Sequence, residues 1–242
     1  MTSDERPRAV GTPIGRRVAL GLLGLGGAGI VVGARVQDAL ARVLGPIQQA
    51  DPTGLTSLIP LGDTFRYYSV TGGAPHRDAT SYQLTVTGHV ATAQTHTLAD
   101  LEAMPQTALV RDFQCVTGWR VPEVRWSGVQ LKHLLDLAGP TPQGAAVRLT
   151  SFDGTYSESL TLEQARAPDV LVALQMLGKS VTHDHGGPVR LYVGSMYGYK
   201  SLKWLGGIEV TDAVVPGYWE HRGYDIDGYV GRSNGRDDAP TG

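Results

Sequence analysis

Beyond residue 50, every stretch of hydrophobic periodicity in this chain is short and is closed by glycine or proline. Tyr82, Leu84 and Val86 alternate with polar residues, the period of a half-buried strand, and the run stops at Gly88. Leu131, Leu134, Leu135 and Ala138 fall at i, i+3, i+4 and i+7, one face of a helix that Gly139 and Pro140 end. Ser127 and Gln130 have capping-box spacing and place the start of that helix at Ser127. The same spacing predicts a short helix after Thr97, with Asp100, and another after Thr161, with Gln164; Pro105 and Pro168 lie beyond them. Residues 109–113, 147–150, 170–174, 189–193 and 208–210 read as strands. Short strands and short helices in mixed order, joined by many loops, predict an α+β fold rather than a regular βαβ array.

The N-terminus follows another logic. Arg6 and Arg8 lead to the pair Arg16-Arg17, and an uncharged, Gly- and Leu-rich run occupies residues 18–34. Paired arginines before a weakly apolar run have the pattern of a twin-arginine export signal or membrane anchor. The run is short for a spanning helix, which needs about 20 strongly apolar residues. Residues 1–50 are therefore expected to be signal or anchor plus linker, 51–230 a catalytic domain, and 231–242 a polar, loose tail. A net charge of −2 leaves no basic footprint for nucleic acid. No motif speaks to oligomeric state.

The chain has one cysteine, Cys115, which cannot form an internal disulfide. In an exported protein an odd cysteine calls for a partner chain, a free thiol or a metal, unless it packs as a small hydrophobe. It ends a strand-like stretch and opens a Thr117-Gly118 turn, so the thiol should stand at a strand-to-loop mouth. A thiolate is a good soft ligand, but one ligand alone holds a metal poorly. A second cluster lies far along the chain: His185, Arg190, Ser201 and Lys203, separated by glycines. Guanidinium, ammonium and hydroxyl groups with glycine-exposed backbone N–H suit a phosphate. Each could equally be a solvated turn residue. A zinc site on His183, Asp184 and His185 is an alternative whose spacing is too tight for three ligands around one tetrahedral ion.

Phe113-Gln114-Cys115-Val116-Thr117-Gly118-Trp119, then His185-Gly186-Gly187-Pro188-Val189-Arg190, then Gly198-Tyr199-Lys200-Ser201-Leu202-Lys203-Trp204-Leu205 resemble, in order, the molybdopterin-binding domain of the sulfite oxidase family. The resemblance runs from about Phe65 to about Tyr229 and includes Ser127-Gly128-Val129 after the cysteine loop. It implies a mixed-sheet sulfite-oxidase-type fold and a molybdenum–molybdopterin cofactor with Cys115 as the metal's thiolate ligand. It further implies that Tyr67, Tyr68, Thr150, His185, Arg190, Ser201, Leu202 and Lys203 hold the cofactor. Arg120 and Tyr199 are the expected catalytic residues, and Arg120, Arg111, Lys200 and Tyr199 the expected lining of the substrate mouth.

Two departures from the family's pattern matter, one for the substrate and one for the electron partner. Sulfite oxidases carry a Cys-Ala-Gly-Asn-Arg type of loop, whereas Trp119 stands four residues after Cys115 here. That pattern is similar to the bacterial branch that reduces methionine sulfoxides in exported proteins, although Arg120 follows at once and Lys203-Trp204-Leu205 is similar to the sulfite oxidase branch. The implied activity is oxygen-atom transfer on a sulfur oxyanion or a sulfoxide, small or protein-bound. No haem-binding segment is visible and there is little room for an immunoglobulin-like domain. Electrons are thus expected to be exchanged with a separate haem membrane protein or cytochrome, outside the cytoplasm. The competing expectation is an extracytoplasmic binding protein that keeps the molybdopterin scaffold without turnover.

Overall fold

The computed structural model describes Val70 and residues 75–242, so the signal-like segment and the expected cofactor contacts Tyr67 and Tyr68 lie outside the described residues. The order of elements is β1 (Gln83–Gly88), β2 (Gln94–Thr97), α1 (Leu98–Ala103), β3 (Thr107–Gln114), β4 (Arg120–Gln130), α2 (Leu131–Ala138), β5 (Ala146–Ser151), β6 (Ser157–Thr161), α3 (Leu162–Ala165), β7 (Val170–Met176), β8 (Lys179–Ser180), β9 (Arg190–Val193) and β10 (Leu205–Thr211). One sheet has the order β2-β1-β10-β5-β6 and is mixed, because β1 and β10 run parallel while its other pairs are antiparallel. The other has the order β3-β4-β7-β8, with β9 also paired to β7, all antiparallel. The α+β expectation holds.

Two capping boxes form as the spacing required. Thr97 accepts from the Asp100 N–H and Thr161 from the Gln164 N–H, with Asp100 and Gln164 answering to the cap backbones. The third does not. Residues 127–130 belong to β4, and α2 begins at Leu131 after Gln130, which makes no side-chain cap. Gly128 explains the difference: a Cβ there would lie 2.2 Å from the Val172 carbonyl oxygen, so glycine lets β4 approach β7 and extends the strand. The apolar face was read correctly, since Leu131, Leu134, Leu135 and Ala138 are buried, and Gly139 ends the helix at φ 66°.

Strand β4 itself was not anticipated. Pro122 interrupts its alternation, and the register shifts between Arg111 and Phe113 on the partner strand. That irregularity accommodates the proline and a positive φ at Glu123, whose N–H donates to Asp112 Oδ1 at 3.0 Å.

Strand β7 is apolar without alternation because both its faces are buried. Val170, Val172 and Leu174 join one cluster with Leu84, Leu134 and Leu149, while Leu171, Ala173 and Met176 join another with Phe113, Trp126 and Tyr192. On β9, Arg190 shares its face with Tyr192, and its guanidinium sits 5.3 Å from the Trp126 ring and 5.7 Å from that of Phe113. A strand that buries both faces thus carries an arginine to the lining of a cavity.

The expected loose tail is docked. Thr241 Oγ1 donates to the Gly194 carbonyl at 2.6 Å, Asp238 accepts from Tyr197 at 2.8 Å, and the carbonyls of Ala239 and Pro240 accept from Arg120.

Candidate functional site

The cysteine loop is a tight turn between β3 and β4. The Cys115 N–H donates to the Trp119 carbonyl at 2.9 Å, and Gly118 N–H donates back to the Cys115 carbonyl at 3.0 Å. Gly118 takes φ +100°, which a residue with a Cβ adopts only under strain. These backbone bonds hold the loop without engaging the sulfur, which is half-buried and 3.2 Å from Thr117 Oγ1. Trp119 stacks on Phe113 at 5.7 Å and forms one side of the loop.

The second cluster is organised by Arg190. Its guanidinium donates to the carbonyls of His185 at 2.7 Å and Ser201 at 2.9 Å, joining the turn before β9 to the segment after it. Burial lowers its proton affinity, yet arginine stays charged at any neutral pH. Ser201 Oγ accepts from the Val193 N–H at 3.0 Å, and Lys203 Nζ donates to the Asp184 carbonyl at 2.7 Å. Gly186 makes this crowding possible: at φ +100° a Cβ would stand 2.6 Å from that of Lys203. Burial first, then the Arg190 charge, pushes Lys203 down to about 7, and burial with Arg190 and Lys203 pushes His185 down to about 4. The imidazole is therefore neutral at physiological pH.

Both clusters meet in one cavity of about 210 Å³. Its wall includes Cys115, His185, Arg190, Ser201, Leu202 and Lys203. A soft sulfur, a guanidinium, an amine, a hydroxyl and a neutral imidazole lining one cavity form a donor set for an anionic group that also carries a thiophilic metal. A core cysteine surrounded by hydrocarbon, or basic residues scattered over the surface, would have offered neither.

Other expected residues stand elsewhere. Thr150 lies in β5, paired with Gly207 and Ser157, and does not line the cavity. Arg120 does not line it either: its guanidinium is engaged by Asp112 at 3.1 Å, Gln114 at 2.6 Å and the tail carbonyls. Arg111 donates to the Thr241 carbonyl. Lys200 is buried between Glu158 at 2.8 Å and Glu220 at 2.7 Å instead of facing the mouth. Tyr199 does line the cavity, with its hydroxyl donated to the Asp225 carbonyl at 2.6 Å.

Among the described residues, aromatic side chains line the cavity where Arg120, Arg111 and Lys200 were expected. Tyr156, Trp219 and Tyr224 line the cavity beside Phe113, Trp119 and Tyr199, and the Trp219 and Tyr224 rings stack at 5.1 Å. None of the first three was singled out from sequence, because loop residues carry no periodicity; the density of aromatics in residues 218–224 was the available signal. Among the described residues, no group of three or more His, Cys, Asp or Glu is arranged to hold a metal ion, and His183, Asp184 and His185 are not drawn together as one.

Comparison with known proteins bears on the same residues. The family described as the oxidoreductase molybdopterin binding domain matches residues 71–219, more than half of the 242. The chain belongs to this family.

Its relatives in the family divide by activity and by length. The oxidoreductase YuiH of Bacillus subtilis (strain 168) is 33% identical over 159 residues, covering 65% of this chain and 80% of that one. The sulfite oxidase of Arabidopsis thaliana is 30% identical over 180 residues, 60% of this chain and 46% of its own. The protein-methionine-sulfoxide reductase catalytic subunit MsrP of Campylobacter jejuni subsp. jejuni serotype O:2 is 28% identical over 156 residues, 58% and 52%. The chain thus spans about half the length of these last two relatives. In structure it resembles the sulfane dehydrogenase SoxCD of Paracoccus pantotrophus, with a TM-score of 0.58 and 24% identity over 69% of this chain and 47% of that one. That likeness concerns the fold, which is of the sulfite oxidase type. No helix among the described residues is long and apolar enough to cross a membrane.

Proposed function

We propose that this molybdopterin-binding oxidoreductase domain transfers an oxygen atom from an uncharged sulfoxide, with Cys115 as thiolate ligand to molybdenum. The observation that carries the reading is that Cys115 lines the same cavity as His185, Arg190, Ser201 and Lys203. Arg190 and Lys203 would hold the anionic end of the cofactor, Ser201 and His185 would add neutral hydrogen bonds, and the backbone around Leu202 would support them. When bound, the cofactor supplies two-electron oxygen-atom transfer; the protein positions it and shapes access.

The substrate class rests on the cations expected at the mouth, among the described residues. A sulfur oxyanion calls for cationic donors at the mouth. Arg120, Arg111 and Lys200, the candidates for that role, are held by Asp112, by tail carbonyls and by two glutamates. Phe113, Trp119, Tyr156, Tyr199, Trp219 and Tyr224 offer apolar faces instead. Sulfur packs favourably against aromatic rings, by about 0.3–1.5 kcal/mol per contact, so the wall suits a thioether-like group better than sulfite. Methionine sulfoxide, free or in a protein, is uncharged and gives a thioether product of that kind, and a relative bears the corresponding name. That relative is named a catalytic subunit, which supports a separate electron partner here. The paired arginines Arg16-Arg17 support action outside the cytoplasm after export in the folded state.

The test is protein made in a cofactor-competent host. Metal and pterin analysis should find molybdenum with the pterin, and a reducing dye should drive methionine sulfoxide reduction faster than sulfite is oxidised. Absence of molybdenum removes the cofactor assignment, and faster turnover of sulfite removes the substrate assignment.

A further inference from the structure

Beside the cavity lies a buried charged cluster that the proposed chemistry has not used. Lys200 Nζ is 2.8 Å from Glu158 Oε2 and 2.7 Å from Glu220 Oε1, and the three side chains are 1%, 0% and 2% exposed. Three elements bring them together: Glu158 is on β6, Lys200 ends the single turn Gly198–Lys200, and Glu220 starts the single turn Glu220–Arg222. Two carboxylates on one ammonium leave one negative charge in excess. Burying an uncompensated charge costs several kcal/mol in a real protein, and neighbouring carboxylates resist joint ionisation. The cheapest neutral arrangement is two carboxyl groups, one ammonium and one retained proton.

Tyr156 connects this cluster to the cavity. It lines the cavity, and its hydroxyl is 3.0 Å from Glu158 Oε1 and 2.7 Å from the Tyr199 carbonyl. With the proton on Glu158, that hydroxyl accepts from Glu158 and donates to the carbonyl; a hydroxyl hydrogen can rotate to another acceptor. Tyr199 and Glu220 are the other titratable groups near Tyr156, and the Tyr218 ring stacks on it at 5.4 Å.

We propose that the Glu158–Lys200–Glu220 cluster stores one proton and exchanges it with the cavity through the Tyr156 hydroxyl. In the delivering direction the Glu158 O–H bond breaks and its proton passes to the Tyr156 oxygen, while the proton already on Tyr156 goes to an acceptor in the cavity. Glu158 is left as a carboxylate paired with Lys200, and no electron moves. Use of that proton in turnover rests on the proposed function, since reduction of a sulfoxide to sulfide and water consumes two protons with two electrons from the redox partner. Burial, opposed by Lys200 and reinforced by Glu220, pushes Glu158 up to about 8, which agrees with the charge count.

Infrared spectroscopy of the full chain tests the store without turnover. At neutral pH the wild type should show a protonated-carboxyl band that titrates away above about 8. Glu158→Gln and Glu220→Gln should each abolish it, because either leaves one carboxylate on one ammonium. Tyr156→Phe should keep the band, but its shift in heavy water should lag behind that of the wild type. Absence of the band at neutral pH, or its survival in both glutamine variants, overturns the store. Equal exchange in Tyr156→Phe overturns the route. These readouts stand even if molybdenum analysis fails, so the two readings fail separately. In the loaded enzyme, Glu158→Gln should remove a limb near about 8 from the pH profile of turnover.

Discussion

The Arg190 guanidinium donates to the carbonyl of Ser201 across 2.9 Å, and to that of His185 across 2.7 Å, so one side chain sets the spacing of the cationic cluster. A lysine reaches one such carbonyl and lacks the fork needed for two. Arg190→Lys should therefore destabilise the domain by about 2–4 kcal/mol, the worth of one or two charged hydrogen bonds lost in the interior. It should also lower cofactor retention. Urea unfolding and pterin content after gel filtration measure the two effects.

Cys115→Ser should behave in the opposite way. The loop is held by backbone bonds between Cys115, Gly118 and Trp119, none of which involves sulfur. Stability should change by less than about 1 kcal/mol, as for substitutions that disturb no packing. Turnover should fall by more than about a hundredfold, beyond the usual loss for a group outside the metal's own ligands. Equal loss of fold and activity would assign the cysteine a structural role.

The cation cluster makes two pH-dependent effects of known sign. His185 titrates at about 4 in the folded protein against 6.5 unfolded. Between those values the unfolded chain holds the proton and the folded chain does not, so the contribution of His185 to stability is present above 6.5 and lost as pH falls towards about 4. His185→Gln should flatten that loss in urea midpoints. Lys203, pushed down to about 7, should regain its proton when an anion binds beside it. Sulfate affinity should then fall as pH rises above about 7, with proton uptake on binding seen by calorimetry in buffers of different ionisation enthalpy. Lys203→Met should abolish the uptake.

Arg120 has a structural role that its position after the cysteine loop did not reveal. It joins Asp112 and Gln114 to the carbonyls of Ala239 and Pro240. Arg120→Ala should release the tail, seen as faster proteolysis within residues 231–242, at a cost of about 1–3 kcal/mol. Activity on an uncharged sulfoxide should survive. A selective loss of activity with the tail still protected would return Arg120 to the substrate.

Gly186 offers a last check on the packing of the site. At φ +100°, with space for no Cβ against Lys203, Gly186→Ala should destabilise by about 1–3 kcal/mol. Thermal denaturation should register this even without cofactor.

The local rules of the chain were legible wherever one side chain answers to its near neighbours. Thr97 with Asp100 and Thr161 with Gln164 form their caps, and Leu131, Leu134, Leu135 and Ala138 bury the face that their spacing defines. The chemical types at the site were legible too, because a thiol, a guanidinium and an ammonium keep their identity in any fold. Partners distant along the chain were not legible. Ser127 and Gln130 have cap spacing, yet Gly128 lets β7 come close enough to keep them in a strand. Lys200 has the composition of a surface charge, yet β6 and the 220–222 turn bring two carboxylates to it. Arg120 stands next to the cysteine loop in sequence and turns to a tail more than a hundred residues away. Charges and hydrogen-bond donors are satisfied by whatever acceptor lies within about 3 Å, and three-dimensional packing chooses that acceptor.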